Sequence, residues 1–92
     1  MKKISVYIVS DSLGETGAQV VKAALPQFNI DNYEIKRFTY VLNTEVLKKI
    51  LEEASKEANA VIIYTLVDEN LIEYMEEFCE KTKLTSVDLL SP

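Results

Sequence analysis

The sequence has no histidine, no tryptophan and one cysteine, Cys79, and it has only two glycines and two prolines among 92 residues. Without histidine the chain cannot form a Ser-His-Asp or Cys-His catalytic site, and one cysteine allows neither an internal disulfide nor a Cys/His zinc site. Catalysis within this chain would have to use carboxylates, hydroxyl groups, lysine or arginine. The composition, 48% hydrophobic and 27% charged, is typical of a compact folded domain.

Long hydrophobic runs and basic clusters are also missing. No apolar run approaches the roughly 20 residues that span a bilayer, and no signal peptide precedes the first strand pattern, so we expect a cytoplasmic protein without membrane contact. The net charge is -5, and no cluster of lysine and arginine is larger than an adjacent pair such as Lys2 and Lys3. This charge argues against nucleic acid as a partner. A phosphate site in such a chain would have to rely on backbone N–H groups.

Strand and helix patterns alternate along the chain in the order βαβαβαβ. The expected strands cover residues 4–9, 33–41, 60–67 and 85–89, and the expected helices begin at Ser12, Asn43 and Asp68. This order predicts one α/β domain, residues 1–92, with three layers and three helices. Its parallel four-stranded sheet should have the flavodoxin-like strand order 2-1-3-4 with right-handed crossovers.

The first strand runs directly into a polar turn that opens the first helix. Ser12 and Glu15 have the S-x-x-E spacing of a capping box, which predicts a helix start at Ser12. A helix that begins at the carboxyl end of a parallel strand directs free N–H groups into the crevice, an arrangement that suits phosphate. The candidate phosphate-binding residues are Ser10, Ser12, Gly14 and Thr16. The alternative is that these residues only cap the helix and relieve strain in the turn.

Asp11 is the candidate catalytic residue, because it precedes the predicted cap and a carboxylate commonly orients the nucleophile in phosphoryl transfer. The alternative is a loop aspartate that stabilises a local turn. The strand order brings three further rim residues to the same edge of the sheet, Thr65, Asp68 and Asp88, with Asp88 as a second candidate carboxylate in a rim that runs to Ser91. We predict no metal site.

The predicted helices cover the two faces of the sheet unequally. Two helices fall on one face and only the first helix on the other, so an exposed apolar patch is expected beside the first helix and the fourth strand. We therefore expect either a fragment of a longer protein, with a missing carboxyl-terminal domain, or a homodimer that buries this face.

Several segments carry a resemblance to a known family. They resemble, in order and spacing, the amino-terminal region of the pyruvate, phosphate dikinase regulatory proteins, and the sister regulators of phosphoenolpyruvate synthase are similar. These segments are Ile8–Thr16, Val21–Leu25 with Phe28, Tyr64–Val67, Cys79 and Val87–Leu90.

The resemblance implies a bifunctional serine/threonine-protein kinase and phosphorylase. Family members phosphorylate a threonine of the dikinase with ADP as donor, and they remove the phosphate with inorganic phosphate, which releases pyrophosphate. The implied ligands are ADP or ATP and phosphate, and the implied partner is the dikinase or the synthase. The family's nucleotide-binding P-loop lies in its later half, and this chain contains no G-x-x-x-x-G-K-[ST] motif. The segment alone is therefore expected to be inactive and to hold no cofactor.

Two other functional classes remain open. The pattern Ser10-x-Ser12-x-Gly14-x-Thr16 is similar to the phosphate loop of flavodoxins, which favours a module that binds a small ligand or a flavin phosphate, although Leu13 is an additional residue and later aromatic flavin loops are missing. A non-catalytic, receiver-like interaction domain is the second alternative. It lacks an acidic pair, and Thr65 stands where the phosphoacceptor aspartate is expected.

Overall fold

The computed structural model describes residues 3–90, a four-stranded parallel sheet with three helices. The strands form where β-branched and aromatic residues alternate with few breaks, and the helices where apolar residues recur at helical spacing. The elements are β1 Ile4–Ser10, α1 Glu15–Gln27, β2 Tyr33–Phe38, α2 Thr44–Ser55, β3 Ala60–Thr65, α3 Glu69–Thr82 and β4 Thr85–Asp88.

The sheet has the strand order β2-β1-β3-β4, and every pairing is parallel, so the predicted fold class and strand order are confirmed. β2 lies on one side of β1, whereas β3 and β4 lie on the other side, so the topological switch point is between β1 and β3. Their register pairs Ser10 with Thr65, and the next pairing places Tyr64 beside Asp88. The carboxyl ends of β1, β3 and β4 therefore meet at one edge, where open α/β sheets bind their ligands.

The larger core lies between the sheet and the pair α2 and α3. Tyr7, Val9 and Ile62 from the strands are buried there with Leu51 and Met75 from the helices. Tyr7 stacks on Phe38 with ring centroids 5.7 Å apart. Cys79 belongs to the same core, and burial raises the pKa of its thiol.

The opposite face carries α1 alone and a smaller core of Val6, Ile8, Ala18 and Val21. Gly17 lets α1 approach the sheet closely, because a Cβ at this position would lie 3.1 Å from Cγ2 of Ile8. Side chains further along the apolar side of α1 stay uncovered: Val20 is 44% exposed and Phe28 is 73% exposed. The exposed apolar patch predicted beside α1 and β4 is confirmed.

The predicted capping box of Ser12 and Glu15 is wrong. Gly14 is the N-cap of α1, and Glu15 is the first helical residue. The physical reason lies in the preceding turn, where the Ser12 N–H donates to Oγ of Ser10 at 3.0 Å and Gly14 takes a left-handed conformation, with φ 71°. The other two helix starts are as predicted, since Asn43 accepts from the Val46 N–H and Asp68 accepts from the N–H groups of Asn70 and Leu71.

All four strand ends differ from the expectation, and β1 runs one residue further, to Ser10. β2 ends at Phe38 rather than at residue 41, because Tyr40 takes a positive φ of 52° and its N–H donates to the Ser12 carbonyl. β3 ends at Thr65 and β4 at Asp88, while Ser91 of the predicted rim lies outside the described residues. Among residues 3–90, no helix has both the length and the apolar character to cross a membrane.

Candidate functional site

The loop between β1 and α1 stands at the carboxyl edge of the sheet, and its fold starts from Ser10. Ser10 is fully buried, and its Oγ accepts from the Ser12 N–H at 3.0 Å and lies 3.2 Å from Oγ of Ser12. The Ser10 side chain therefore stabilises the loop from its buried side and is not exposed to solvent. Ser12, by contrast, is exposed at the front of the loop.

Asp11 connects this loop to the loop after β3. Its Oδ2 accepts from the Val67 N–H at 2.8 Å, across 56 positions of sequence. The bond uses one of the two carboxylate oxygens, so a second acceptor oxygen remains on the same side chain. Asp11 therefore holds the two loops together.

The strand β2 closes the loop on its other side. Nε of Arg37 donates to the Leu13 carbonyl at 2.8 Å, and Nη2 donates to the same oxygen. The Tyr40 N–H donates to the Ser12 carbonyl at 2.9 Å, and the Val41 N–H donates to the Ser10 carbonyl at 2.9 Å. Hydrogen bonds from β2 and from the loops after β2 and β3 thus hold the loop in place, and Arg37 places a positive charge against it.

The first helix opens directly into this edge without a side-chain cap. The first N–H groups of any helix lack partners within the helix, and Gly14 has no side chain to satisfy them. Thr16, in the first turn, is exposed. Backbone donors, the positive end of the helix dipole and a threonine hydroxyl therefore face the same region.

These groups line a small cleft of about 150 Å³ between the β1–α1 loop and the end of β3. Such a volume suits a phosphoryl group or one amino-acid side chain, and it is well below the roughly 300–1,000 Å³ of pockets that enclose larger ligands. The lining residues are Asp11, Ser12, Gly14, Glu15, Thr16, Thr65, Val67 and Leu90.

The structure thus brings five of the predicted residues into one cleft and leaves three beside it. Ser10 lies buried behind the loop, Asp68 caps α3, and Oδ1 of Asp88 accepts from the Leu90 N–H at 2.9 Å. The residues that line the cleft as predicted are Asp11, Ser12, Gly14, Thr16 and Thr65.

Sequence reasoning missed Arg37, and it included Val67 and Leu90 only as unnamed members of the predicted rims 65–68 and 88–91. The strand order 2-1-3 places the end of β2 beside the loop after β1, and this placement was the signal for Arg37. Val67 and Leu90 are apolar residues in loops, 72% and 54% exposed. No pattern in the sequence distinguishes such residues from ordinary surface positions.

Ionisable groups near the cleft are mostly carboxylates. Asp11 and Glu15 line it, and Asp88 ends the neighbouring strand beside Tyr64. Burial, followed by the charge of Asp88, raises the pKa of Tyr64 to about 12, so this phenol is neutral at physiological pH. Within residues 3–90, no three side chains of the His, Cys, Asp and Glu types are arranged to hold a metal ion.

A wider groove of about 400 Å³ lies at the amino-terminal edge of the sheet, between residues such as Glu57, Ala60 and Lys83. We regard the smaller cleft as the candidate site, because ligands of open α/β sheets bind at the carboxyl ends of the strands, next to the topological switch point.

Comparison with known proteins gives a consistent assignment. The model of the family described as kinase/pyrophosphorylase matches residues 6–92. A protein named pyruvate, phosphate dikinase regulatory protein from Clostridioides difficile (strain 630) is 49% identical over 92 residues, which are 99% of this chain and 32% of that protein. Relatives with the same name from Alkaliphilus metalliredigens and Lysinibacillus sphaericus are 44% and 39% identical, over 99% and 100% of this chain and 32% and 34% of their own lengths.

The chain thus spans about a third of the length of the curated relatives that it matches. Since the family model covers nearly all of the chain, the chain belongs to the kinase/pyrophosphorylase family.

Proposed function

We propose that this chain is the part of a pyruvate, phosphate dikinase regulator that positions the phosphoryl group or the threonine hydroxyl during transfer. The proposed reactions are transfer of a phosphoryl group from ADP to a dikinase threonine, which leaves AMP, and transfer of that phosphoryl group from the phosphothreonine to inorganic phosphate, which releases pyrophosphate. Membership of the kinase/pyrophosphorylase family and the names of the relatives support this assignment.

The single observation that carries the proposal for this segment is the cleft itself. It combines an uncapped helix N-terminus, the hydroxyls of Ser12 and Thr16, and the carboxylate of Asp11. Phosphoryl transfer needs donors for the phosphate oxygens and an acceptor that orients the attacking hydroxyl. In this assignment, the amides and hydroxyls hold the phosphoryl oxygens and Asp11 orients the threonine.

The charges and the size of the cleft limit which ligands it can hold. Asp11 and Glu15 would repel a free phosphate dianion, while Arg37 and the helix dipole offset part of this repulsion. The cleft, at about 150 Å³, is also smaller than the roughly 300–1,000 Å³ of pockets that enclose a drug-sized ligand. We therefore assign the ADP site to the part of the longer family members that lies outside this chain.

The test exchanges Asp11 for asparagine in a chimera in which this chain replaces the matching segment of the Clostridioides difficile relative. Asparagine keeps an oxygen for the Val67 N–H, so Asp11→Asn removes the charge with little change in shape. We expect the rates of both reactions to fall by at least about 100-fold, the lower range for a positioned acid or base. Asp31→Asn, at an exposed loop position, is the matched control. Near-normal rates in Asp11→Asn would remove this residue from catalysis.

Binding is tested separately in the 92-residue chain. Titration with inorganic phosphate and with pyrophosphate, followed by amide chemical shifts, should shift the N–H signals between residues 12 and 16. Thr16→Val should weaken this binding by about tenfold, since a hydrogen bond to a charged group contributes about 1.5 kcal/mol or more. Thr44→Val, an exposed threonine at the start of α2, should leave it unchanged. Equal binding by both variants would contradict a phosphate site here.

A second candidate, a docking module without catalytic groups, is favoured by the apolar rim of the cleft. Four exposed apolar side chains surround its loops, a pattern that often marks a protein-binding surface. They are Leu13 at 47%, Tyr40 at 60%, Val67 at 72% and Leu90 at 54% exposure. In that case Val67→Asp would weaken binding of the dikinase, while Asp11→Asn would leave both reaction rates intact.

A further inference from the structure

The face of the sheet that carries α1 contains a second surface, separate from the cleft. A groove of about 440 Å³ runs between α1 and the strands β3 and β4. Every residue that lines it is apolar: Ile4, Val6, Val20, Val21, Ala24, Leu25, Phe28, Ile30, Val61, Ile63, Val87 and Leu89. We call this surface the α1 groove.

The α1 groove leaves part of a parallel sheet uncovered. Parallel sheets normally have helices on both faces, because their strands are apolar on both sides. Here α2 and α3 cover one face, whereas α1 alone packs on the other, and Val87 of β4 is 42% exposed. In a three-layer fold, another helix normally covers this part of the sheet. The α1 groove has the apolar lining that such a helix would contact.

We propose that the α1 groove binds an apolar-faced helix supplied by the part of the longer family members that lies outside these 92 residues. Roughly two thirds of each curated relative falls outside the segment that matches this chain. A segment joined to the same chain has a high effective concentration at the groove, so a small contact is enough to keep it bound.

Tethering and the lining of the groove distinguish this occupant from the others. A free partner or a second copy needs to bury about 800 Å² per side for stable binding, whereas a segment of the same chain needs less contact. A metabolite site normally includes a few placed polar groups that orient the ligand. The lining of the α1 groove contributes no polar side chain, so it selects by shape and apolar surface alone.

The test measures how fast an engineered cysteine reacts with a maleimide. Val20 and Val46 form a matched pair: both are helical valines, 44% and 43% exposed, but Val20 lies in the α1 groove and Val46 lies on α2. The native thiol of Cys79 is buried and serves as an internal control for folding. In the 92-residue chain, Val20→Cys and Val46→Cys should react at similar rates.

In the chimera with the Clostridioides difficile relative, Val20→Cys should react at least tenfold more slowly, whereas Val46→Cys should keep its rate. Equal rates at the two positions would overturn the proposal. If Val20→Cys already reacts slowly in the 92-residue chain at high protein concentration and sedimentation shows dimers, the occupant is a second copy and the proposal is wrong.

A dye measurement tests the same point without a chimera. The 92-residue chain should enhance the fluorescence of a hydrophobic dye, and Val20→Asp should reduce this signal severalfold while Val46→Asp should not. The full-length Clostridioides difficile relative should give little enhancement, because its own helix fills the groove. Dye binding by the full-length relative as strong as that of the short chain would overturn the proposal.

Discussion

The backbone conformation of the β1–α1 loop, the start of α1 and the lining of the candidate site all depend on Gly14. Its φ of 71° lies in the left-handed region, where a Cβ comes too close to the following carbonyl oxygen at a cost of about 1–2 kcal/mol. A Cβ at Gly14 would lie 3.4 Å from Cβ of Ser10 and 3.6 Å from Nε of Arg37, which are ordinary contact distances. Conformational strain alone should therefore set the effect of Gly14→Ala.

We expect Gly14→Ala to lower the free energy of unfolding by about 1–2 kcal/mol. Urea unfolding followed by circular dichroism measures this loss. With a slope near 1 kcal/mol per M for a chain of this size, the midpoint should fall by about 1–2 M. Gly14→Asn is the control, because asparagine also adds a Cβ but tolerates the left-handed region better. Its midpoint should lie between those of the wild type and Gly14→Ala.

Two outcomes would refute this reasoning. If Gly14→Ala unfolds at the wild-type midpoint, the residue before α1 does not hold a left-handed conformation. If Gly14→Asn is as unstable as Gly14→Ala, the added Cβ is excluded by its neighbours and the loss does not come from backbone strain.

Three further predictions concern the core and its charges. The Ser5 hydroxyl donates to Glu57 at 2.6 Å and lowers the pKa of that carboxyl, so the resulting stability is present above the ordinary carboxyl pKa and disappears as the pH falls through the lowered value. Ser5→Ala should therefore cost about 1 kcal/mol in urea unfolding at neutral pH and less at about pH 3, and an equal loss at both pH values would contradict it. The pKa of Tyr64 is raised to about 12, so the stability that it contributes is present below pH 10 and is lost as the pH rises towards 12. In Tyr64→Phe, the free energy of unfolding should fall less steeply between pH 10 and pH 12 than it does in the wild type. An unchanged slope would contradict the raised pKa of Tyr64. Met75 is fully buried, so Met75→Ala should cost about 2–5 kcal/mol by calorimetry, and a loss below about 1 kcal/mol would mean that the core refills the cavity.

Much of the fold follows from local pattern. Asn43 and Asp68 each precede an amphipathic stretch, and both act as N-caps because a short polar side chain can reach the next free N–H groups without help from the rest of the chain. The strand order 2-1-3-4 follows from the alternation of elements and the handedness of crossovers. The exposed patch beside α1 follows from counting helices per face.

The start of α1 shows where local pattern is insufficient. Ser12 and Glu15 have the spacing of a capping box, yet the Ser12 N–H is held by Ser10, and the Ser12 carbonyl accepts from the Tyr40 N–H. The second bond spans 28 positions, so no local motif predicts it. A local hydrogen bond and a tertiary one therefore place the N-cap of α1 at Gly14 rather than at Ser12.

The roles of the candidate residues were likewise only partly predictable from local sequence, because some of their partners are distant in sequence. Asp11 and Thr16 are recognisable as polar residues at a strand end, but only the folded chain places the Val67 N–H 2.8 Å from Asp11 and buries Ser10 behind the loop. The strand order places Arg37 near the loop after β1, but its hydrogen bond to the Leu13 carbonyl, 24 positions away, is set only by the folded chain.

The sequence by itself determined the element order, the parallel sheet, the uneven cover of its two faces and the edge at which the polar loops collect, because these depend on periodicity, chain direction and handedness. The tertiary structure decided which polar groups face the cleft and which are used to hold the loops together. The physical reason is that a hydroxyl or carboxylate binds whichever donor the fold brings within about 3 Å, and that neighbour is set by contacts distant in sequence.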